Sequence, residues 1–428
     1  MSRTARTQEE IRRFLSIAPL QVAELDLDGE EVWLHPGPGS PPVTSGEVFV
    51  LVRKRGRPVG TLLGRVPPGA DPRSVLAPPA RDLAARAGED RPQAPPAPPP
   101  ATVVVATRER AEQLARALDS LLAQDHPDFE IVVVDNAPVT TRTRELVARK
   151  YAERVRYVTE PVPGLAVAHN RGVAQARGEV VAFTDDDVVA DARWLTELTA
   201  PFTADPRLGC ATGLILPARL STPAQVLLES HGGFSKGFTP RTYDPFHPPA
   251  DEPLFPFTAG RFGSGANMAF RTGVLRAVGG FDPATGAGTA ARGGDDLYGF
   301  VRVLAEGHRL RYTPQALVWH HHRDTWRDLE TQAYGYGAGL TAYLTALLVR
   351  RPSLLPAFLA RLPRGLAHAR ALTARRDADA TGSPGDHDTR THPWPARLSR
   401  LQRRGMLHGP LGYARARSAL RTDDRRSR

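Results

Sequence analysis

The sequence predicts an α/β protein with a mainly parallel central sheet flanked by helices, a small β-rich domain before it and a helical extension after it. Three observations carry that expectation. From Thr102 onward, short apolar strand signals alternate with helical periodicity, the pattern of repeated βαβ units. Upstream, Gln21 to Leu34 and Val48 to Val66 hold alternating or apolar runs broken by Asp28-Gly29 and Arg55-Gly56, the punctuation of hairpins. Between these regions lies an Ala- and Pro-rich stretch ending in Pro98-Pro99-Pro100, which favours extended polyproline geometry and reads as a linker. The expected boundaries are therefore 1–75 for the β-rich domain, 76–100 for the linker, 101–325 for the α/β domain and 326–428 for a helical, Arg-rich region.

Within the α/β domain the first strand is Thr102 to Val105, followed by a helix with Leu114, Leu118, Leu121 and Leu122 on one face. A second strand, Ile131 to Val134, ends in Asp135-Asn136, and a helix around Thr143 to Tyr151 leads to a third, Val155 to Thr159. An Ala-rich helix from about Val167 to Ala176 stops at Gly178, and the fourth strand, Glu179 to Thr184, runs into Asp185-Asp186-Asp187. After a helix with Trp194, Leu195 and Leu198 the pattern loosens between Leu216 and Pro256, where no motif is legible and a substrate loop or an insertion is expected. Order returns at Gly263-Ser264-Gly265-Ala266-Asn267-Met268-Ala269-Phe270, then Gly279-Gly280-Phe281, Gly293-Gly294-Asp295-Asp296, an amphipathic helix with Phe300, Val303 and Leu304, and a strand-like Arg311 to Val318 ahead of Trp319-His320-His321-His322.

Composition narrows the function. The 428 residues carry a net charge of +10, which suggests nucleic acid until it is divided along the chain. Residues 350–428 hold 18 Arg and 6 Asp, so the remainder is slightly acidic, and only Lys54, Lys150 and Lys236 are lysines. Nucleic-acid binding is discounted on that ground. A basic tail can instead hold the protein at an anionic membrane surface, where each Arg contributes about 1 kcal/mol. Cys210 is the only cysteine, so no intrachain disulfide forms; Met1 to Ile11 lacks a signal-peptide core, and the apolar stretch Gly335 to Val349 is shorter than the ~20 residues a spanning helix needs. A cytoplasmic protein, with peripheral contact at the inner face of the membrane, is expected.

The acidic run is the strongest chemical signal. Ligand crevices of open α/β sheets lie at the carboxyl ends of strands, and alternation on extended chain puts Asp185 and Asp187 on one side, where two oxygen ligands meet one hard cation such as Mg²⁺ or Mn²⁺. The alternative is a solvated acidic turn. Asp135, at the end of the second strand, suits a base or ribose hydroxyl, or a turn. Asp295-Asp296 suits an N-cap, a ligand contact, or one of each. His320 and His322 project to one side, where either completes a metal shell or forms a surface cluster.

Taken in order, Ala106-Thr107-Arg108-Glu109-Arg110, Val134-Asp135-Asn136, Gly164 to Asn170-Arg171-Gly172, Asp185-Asp186-Asp187, Gly265 to Phe270, Gly279-Gly280-Phe281, Asp295-Asp296 and His320 closely resemble the family-2 glycosyltransferases of GT-A fold, over about residues 101–325. The resemblance implies a Rossmann-like domain, a nucleotide-diphospho-sugar donor and a divalent metal (Mn²⁺ or Mg²⁺). It places Thr107, Glu109 and Asp135 at the nucleoside, extends the donor site to Asn170 and Asp186, makes Asp185 and Asp187 the DxD motif and His320 a late metal or diphosphate contact. It makes Asp296 the base, with Asp295 beside it. Two departures stand out: Ala106 where Pro is frequent, and Asp295 where Glu is commoner and reaches one methylene further. The expected reaction is inverting transfer to an acceptor hydroxyl on a glycan, lipid or small molecule. The alternative is a non-catalytic sugar-nucleotide binder or scaffold in glycan assembly, against which Asp296 argues. A haloacid-dehalogenase-like phosphatase would need an Asp after the first strand, where Thr107 stands. Nucleotidyltransferases and nicotinamide dehydrogenases would need an early Gly-rich loop that residues 103–112 lack.

Overall fold

Val103, Val104 and Val105 are wholly buried because the strand that holds them is covered on both faces, as a near-continuous β-branched run in a parallel sheet requires. The computed structural model describes residues 14–87, 96–231, 233–364, 367, 392 and 394–426, with side chains through residue 422. The strands are β5 (Ala101–Thr107), β6 (Phe129–Asn136), β7 (Val155–Glu160), β8 (Val180–Asp185), β9 (Val188–Ala190), β10 (Leu208–Pro217), β11 (Arg241–Tyr243), β12 (Met268–Arg271) and β13 (Arg309–His320). Their order is β11-β13-β10-β12-β8-β5-β6-β7, with β9 paired to β13. The β8-β5-β6-β7 half is parallel throughout, whereas β12 enters antiparallel between β8 and β10. Four strands thus precede or carry the acidic run, as expected, and Thr107, Asp135 and Asp185 end neighbouring strands on one sheet edge.

Helices cover both faces. Leu114, Leu118 and Leu121 of α2 (Ala111–Leu121) are fully buried against Val103, Val105, Val133 and Trp194, and the opposite face packs α4 (Leu165–Gln175) and α8 (Asp295–Ala305) around Val104, Phe183, Phe270, Phe281 and Phe300. Each such leucine contributes about 1.5–3 kcal/mol on burial, so the apolar faces read from sequence define the actual core.

The N-terminal strands β1 (Gln21–Asp28), β2 (Glu31–Pro36), β3 (Gly46–Lys54) and β4 (Arg57–Val66) form a second sheet in the order β2-β1-β3-β4, and both expected hairpins are present. The linker boundary differs from the expectation of 76–100. Helix α1 spans Pro72–Arg86, with Asp71 as its N-cap and Pro72 in its first turn, and Pro78 and Pro79 sit inside it. Two interior prolines remove backbone hydrogen bonds, but Leu76, Ala80 and Ala84 pack into the core of the small sheet, and that burial overrides the local penalty. The two sheets also share a core: Phe14, Ile17, Phe49 and Leu51 pack with Leu214, Leu216, Leu317 and Trp319.

Beyond β13, α9 (Trp326–Arg350) starts at Thr325, whose hydroxyl accepts from Asp328 N, and buries Ala342, Tyr343, Ala346 and Leu347 in the same core as Phe281 and Phe300. The last helix, α10 (Ala396–Arg426), lies along α9, and its Tyr413 hydroxyl donates to buried Asp282 at 3.0 Å. The described parts of the C-terminal region, expected as an extension, are therefore helical and packed onto the domain. Among the described residues no helix is long and apolar enough to cross a membrane.

Candidate active site

The three acidic residues diverge at the end of β8. Asp186 turns into the protein, where its carboxylate accepts from Thr107 Oγ1 at 2.7 Å and Arg110 Nη1 at 2.5 Å. Asp185 and Asp187 face the other way, and with His320 they present ligand atoms that all lie within 4.8 Å of one another. β9 makes this possible: it pairs antiparallel with β13, setting Val188 opposite His320, while His321 N donates to Asp187 O at 2.9 Å. Residues more than 130 positions apart in sequence are thereby stitched together.

The electrostatics favour a cation. Burial, reinforced by Asp187, Asp186, Asp295 and Asp296, pushes the Asp185 carboxyl well above the usual range. Burial opposes ionisation of Asp187 too, but its basic neighbours, including Arg110 at 3.1 Å and Arg323 at 4.0 Å, hold it below the ordinary value. Burial drives His320 down to about 3, so its imidazole is neutral, the form in which it could hold a cation. Two hard carboxylate oxygens and one neutral imidazole fit Mn²⁺ or Mg²⁺ with places left for substrate oxygens.

The second acidic pair splits in the same manner. Asp295 is buried, with Oδ2 lying 3.1 Å from His169 Nδ1 of α4. Asp296 faces the loop before β12: its Oδ2 accepts from Gly265 N at 2.9 Å and its Oδ1 from Leu297 N at 2.8 Å. Burial and then the Asp295 charge raise its carboxyl to about 6, the range in which a carboxylate accepts protons near neutral pH. Asp295 thus points inward against His169, while Asp296 faces the loop before β12.

Other expected site residues are placed differently. Asp135 is wholly buried, with Oδ2 accepting from Tyr157 Oη at 2.8 Å and Oδ1 lacking a hydrogen-bond partner in the described residues. Glu109, at φ 57°, spends its carboxylate on the backbone of Val139 and Thr140 and on the Thr140 hydroxyl, clasping the loop after β6. Asn170 binds both backbone groups of Phe281, Nδ2 to O at 2.8 Å and Oδ1 from N at 2.9 Å, so each end of its amide makes a bond within the fold. Gly280 permits that clamp, because a Cβ there would lie 2.4 Å from Asn170 Oδ1. Asn267 likewise serves the fold, tying Leu214 O, Ala316 O and Trp194 Nε1 together.

Sequence reasoning missed Arg110, His169 and Glu229. Arg110 lies within a quoted motif, yet its pairing with Asp186 and Asp187 depends on the turn after β5; His169 looks like one residue of an Ala-rich helix. Glu229 falls in the stretch that appeared loose. Its carboxylate Oε2 is 3.1 Å from His322 Nε2, and His322 Nδ1 is 2.9 Å from His320 Nδ1. The one available signal was Thr222-Pro223-Ala224-Gln225, a capping box opening helix α6 (Pro223–Ser230).

The mixed sheet thus carries one carboxylate cluster at the end of β8 and a second at the start of α8. Residues 102–278 match the glycosyl transferase family 2 model. The pre-mycofactocin glycosyltransferase of Mycobacterium tuberculosis is 28% identical over 276 residues, covering 63% of this chain and 52% of that protein. An uncharacterized glycosyltransferase of Nostoc is 32% identical over 111 residues, covering 25% of this chain and 34% of the relative. Among solved structures, a mannosyltransferase from Pyrobaculum calidifontis in complex with GDP-Man and Mn²⁺ is similar at 23% identity and a TM-score of 0.45, covering 76% of this chain and 90% of that one. The chain spans about half the length of the first of these curated relatives.

Proposed function

We propose that the protein transfers a sugar from a nucleotide-diphospho-sugar donor to an acceptor hydroxyl, with inversion and with a divalent metal, Mn²⁺ or Mg²⁺, held by Asp185, Asp187 and His320. The convergence of these three ligand sets within 4.8 Å carries the proposal. A cation held there would neutralise the donor diphosphate and make it a better leaving group. Asp296, held by two backbone N–H groups, takes the acceptor proton. Arg110 and Thr107 fix the acidic turn from behind, and Asp135 is assigned to the nucleoside. For Asn170, Glu109 and Asp186 the reading is a supporting role, since their polar atoms are engaged within the protein.

The protein is further assigned to the cytoplasm, with peripheral contact at the inner membrane face. Supporting this, Leu407 and Leu411 are 85% and 51% exposed on α10, flanked by exposed Arg400, Arg403, Arg404 and Arg415. The acceptor is then a glycan, lipid or small molecule reached at that surface. The test is turnover of UDP-, GDP- and dTDP-sugars by the purified chain with Mn²⁺, Mg²⁺ or chelator. Slow, chelator-sensitive hydrolysis of one donor is expected. Binding without turnover under any acceptor would favour a scaffold, and absence of donor binding would refute the proposal.

A further inference from the structure

His320 has two ring nitrogens, and only one arrangement of its proton leaves a lone pair for a cation. Resting on the metal site proposed above, we infer that Glu229 and His322 are positioning residues that keep the His320 proton on Nδ1 and leave Nε2 bare toward Asp185 and Asp187. The geometry is a continuous chain: Asp187 Oδ1 is 3.4 Å from His320 Nε2, His320 Nδ1 is 2.9 Å from His322 Nδ1, and His322 Nε2 is 3.1 Å from Glu229 Oε2. A carboxylate only accepts, so His322 Nε2 carries a proton. With a single proton on each ring, His322 Nδ1 then accepts, and among the described residues the donor facing it is His320 Nδ1–H. The metal-facing nitrogen of His320 is left unprotonated. Without Glu229 the preference reverses, because Asp187 is itself an acceptor placed to draw the proton onto His320 Nε2.

Several features build this chain rather than merely permit it. The capping residue Gln225 donates from Nε2 to His322 O at 3.2 Å, and Glu229 follows one turn later on α6, so a single helix face holds both the backbone and the ring of His322. Gly233, at φ 42°, gives the carboxylate its room: a Cβ at that position would lie 2.3 Å from Glu229 Oε2. Phe234 packs over both imidazoles, with ring centroids 5.0 and 5.5 Å away, and His322 is only 4% exposed. A solvent-facing histidine cluster would need none of these. Partners of metal-binding histidines that act through the second ring nitrogen typically change metal affinity 10–100-fold when removed.

The experiment combines Mn²⁺ titration, read by electron paramagnetic resonance, with nitrogen NMR of the metal-free histidine side chains in the full chain. Wild type should show His320 as the Nδ1–H tautomer. Glu229→Ala should shift it toward Nε2–H and weaken Mn²⁺ about 10–100-fold. Glu229→Gln, whose amide oxygen still accepts, should retain tautomer and affinity, and Gly233→Ala, which displaces the carboxylate, should follow Glu229→Ala if that variant does not fold. Unchanged tautomer and affinity in Glu229→Ala, alongside weakened Mn²⁺ binding in His320→Ala, would overturn the positioning role while sparing the metal site. Equal loss in Glu229→Gln and Glu229→Ala would also overturn it. Wild type that binds no Mn²⁺, or binds it equally well as His320→Ala, would overturn the metal site itself.

Discussion

Asp296→Asn separates the proposed base from the fold because its structural costs nearly cancel. The carboxylate accepts from Gly265 N at 2.9 Å and Leu297 N at 2.8 Å, and an amide keeps only one of those acceptors, which costs about 1.5–3 kcal/mol. Against this, burial and Asp295 raise the carboxyl from 3.8 to about 6, a penalty on the charged form of ~3 kcal/mol at 1.36 kcal/mol per unit. The sign follows from linkage: the folded state holds this proton more tightly than the unfolded chain, so the penalty grows as pH rises from 3.8 toward 6 and is complete above it. The neutral amide escapes it. Stability at pH 7.5 should therefore change by no more than about 2 kcal/mol in denaturant unfolding. Turnover should fall about 10²- to 10⁴-fold, with donor binding retained. The kcat/KM of the parent protein should rise with pH through about 6, and the variant should lose that limb. A variant that keeps more than a tenth of the parent turnover, or keeps the limb, would refute the assignment of Asp296 as base.

Asp187→Ala removes one of three converging ligand sets, and metal-dependent donor affinity measured by calorimetry should drop sharply; unchanged affinity would reject the DxD assignment. Arg110→Gln leaves Asp186, 5% exposed, with Thr107 as its remaining side-chain partner, so unfolding free energy should fall by about 3 kcal/mol, the low end for a broken buried pair because Arg110 is itself 29% exposed. Gly280→Ala meets a positive φ of 69° and an Asn170 oxygen at 2.4 Å; a loss of about 1–3 kcal/mol is expected, and full retention of stability would show that the Asn170 clamp is dispensable.

The legible parts of this protein are those in which a short run dictates its own environment. Val103 to Val105 announce a strand covered on both faces, Leu114, Leu118 and Leu121 announce the helix that covers one of them, and Val180 to Asp185 announce the strand that leads into the acidic run. The prolines of α1 misled because helix propensity is local and its compensation, burial of Leu76 and Ala80 on a separate sheet, is not. Arg110, His169 and Glu229 share another difficulty. Each is defined by a partner 76 to 126 positions away, and no period or cap in its own neighbourhood reports that partner. Asn170 and Asn267 show the converse, motif residues whose polar atoms are consumed in holding backbone segments together.

The N-terminal sheet ends as a buttress to the chemistry. Arg53 of β3, 8% exposed, donates at 2.7 Å both to Glu24 of its own sheet and to Asp191, the residue after β9, and β9 is the strand that fastens the acidic turn to β13. A shortened chain beginning at Pro96 would leave Asp191 without its arginine and open Leu214, Leu216, Leu317 and Trp319 to water. Such a fragment would carry every residue of the proposed cation seat and yet lack the wall behind it, so the useful unit for expression, crystallisation or transplantation into another scaffold includes the small sheet.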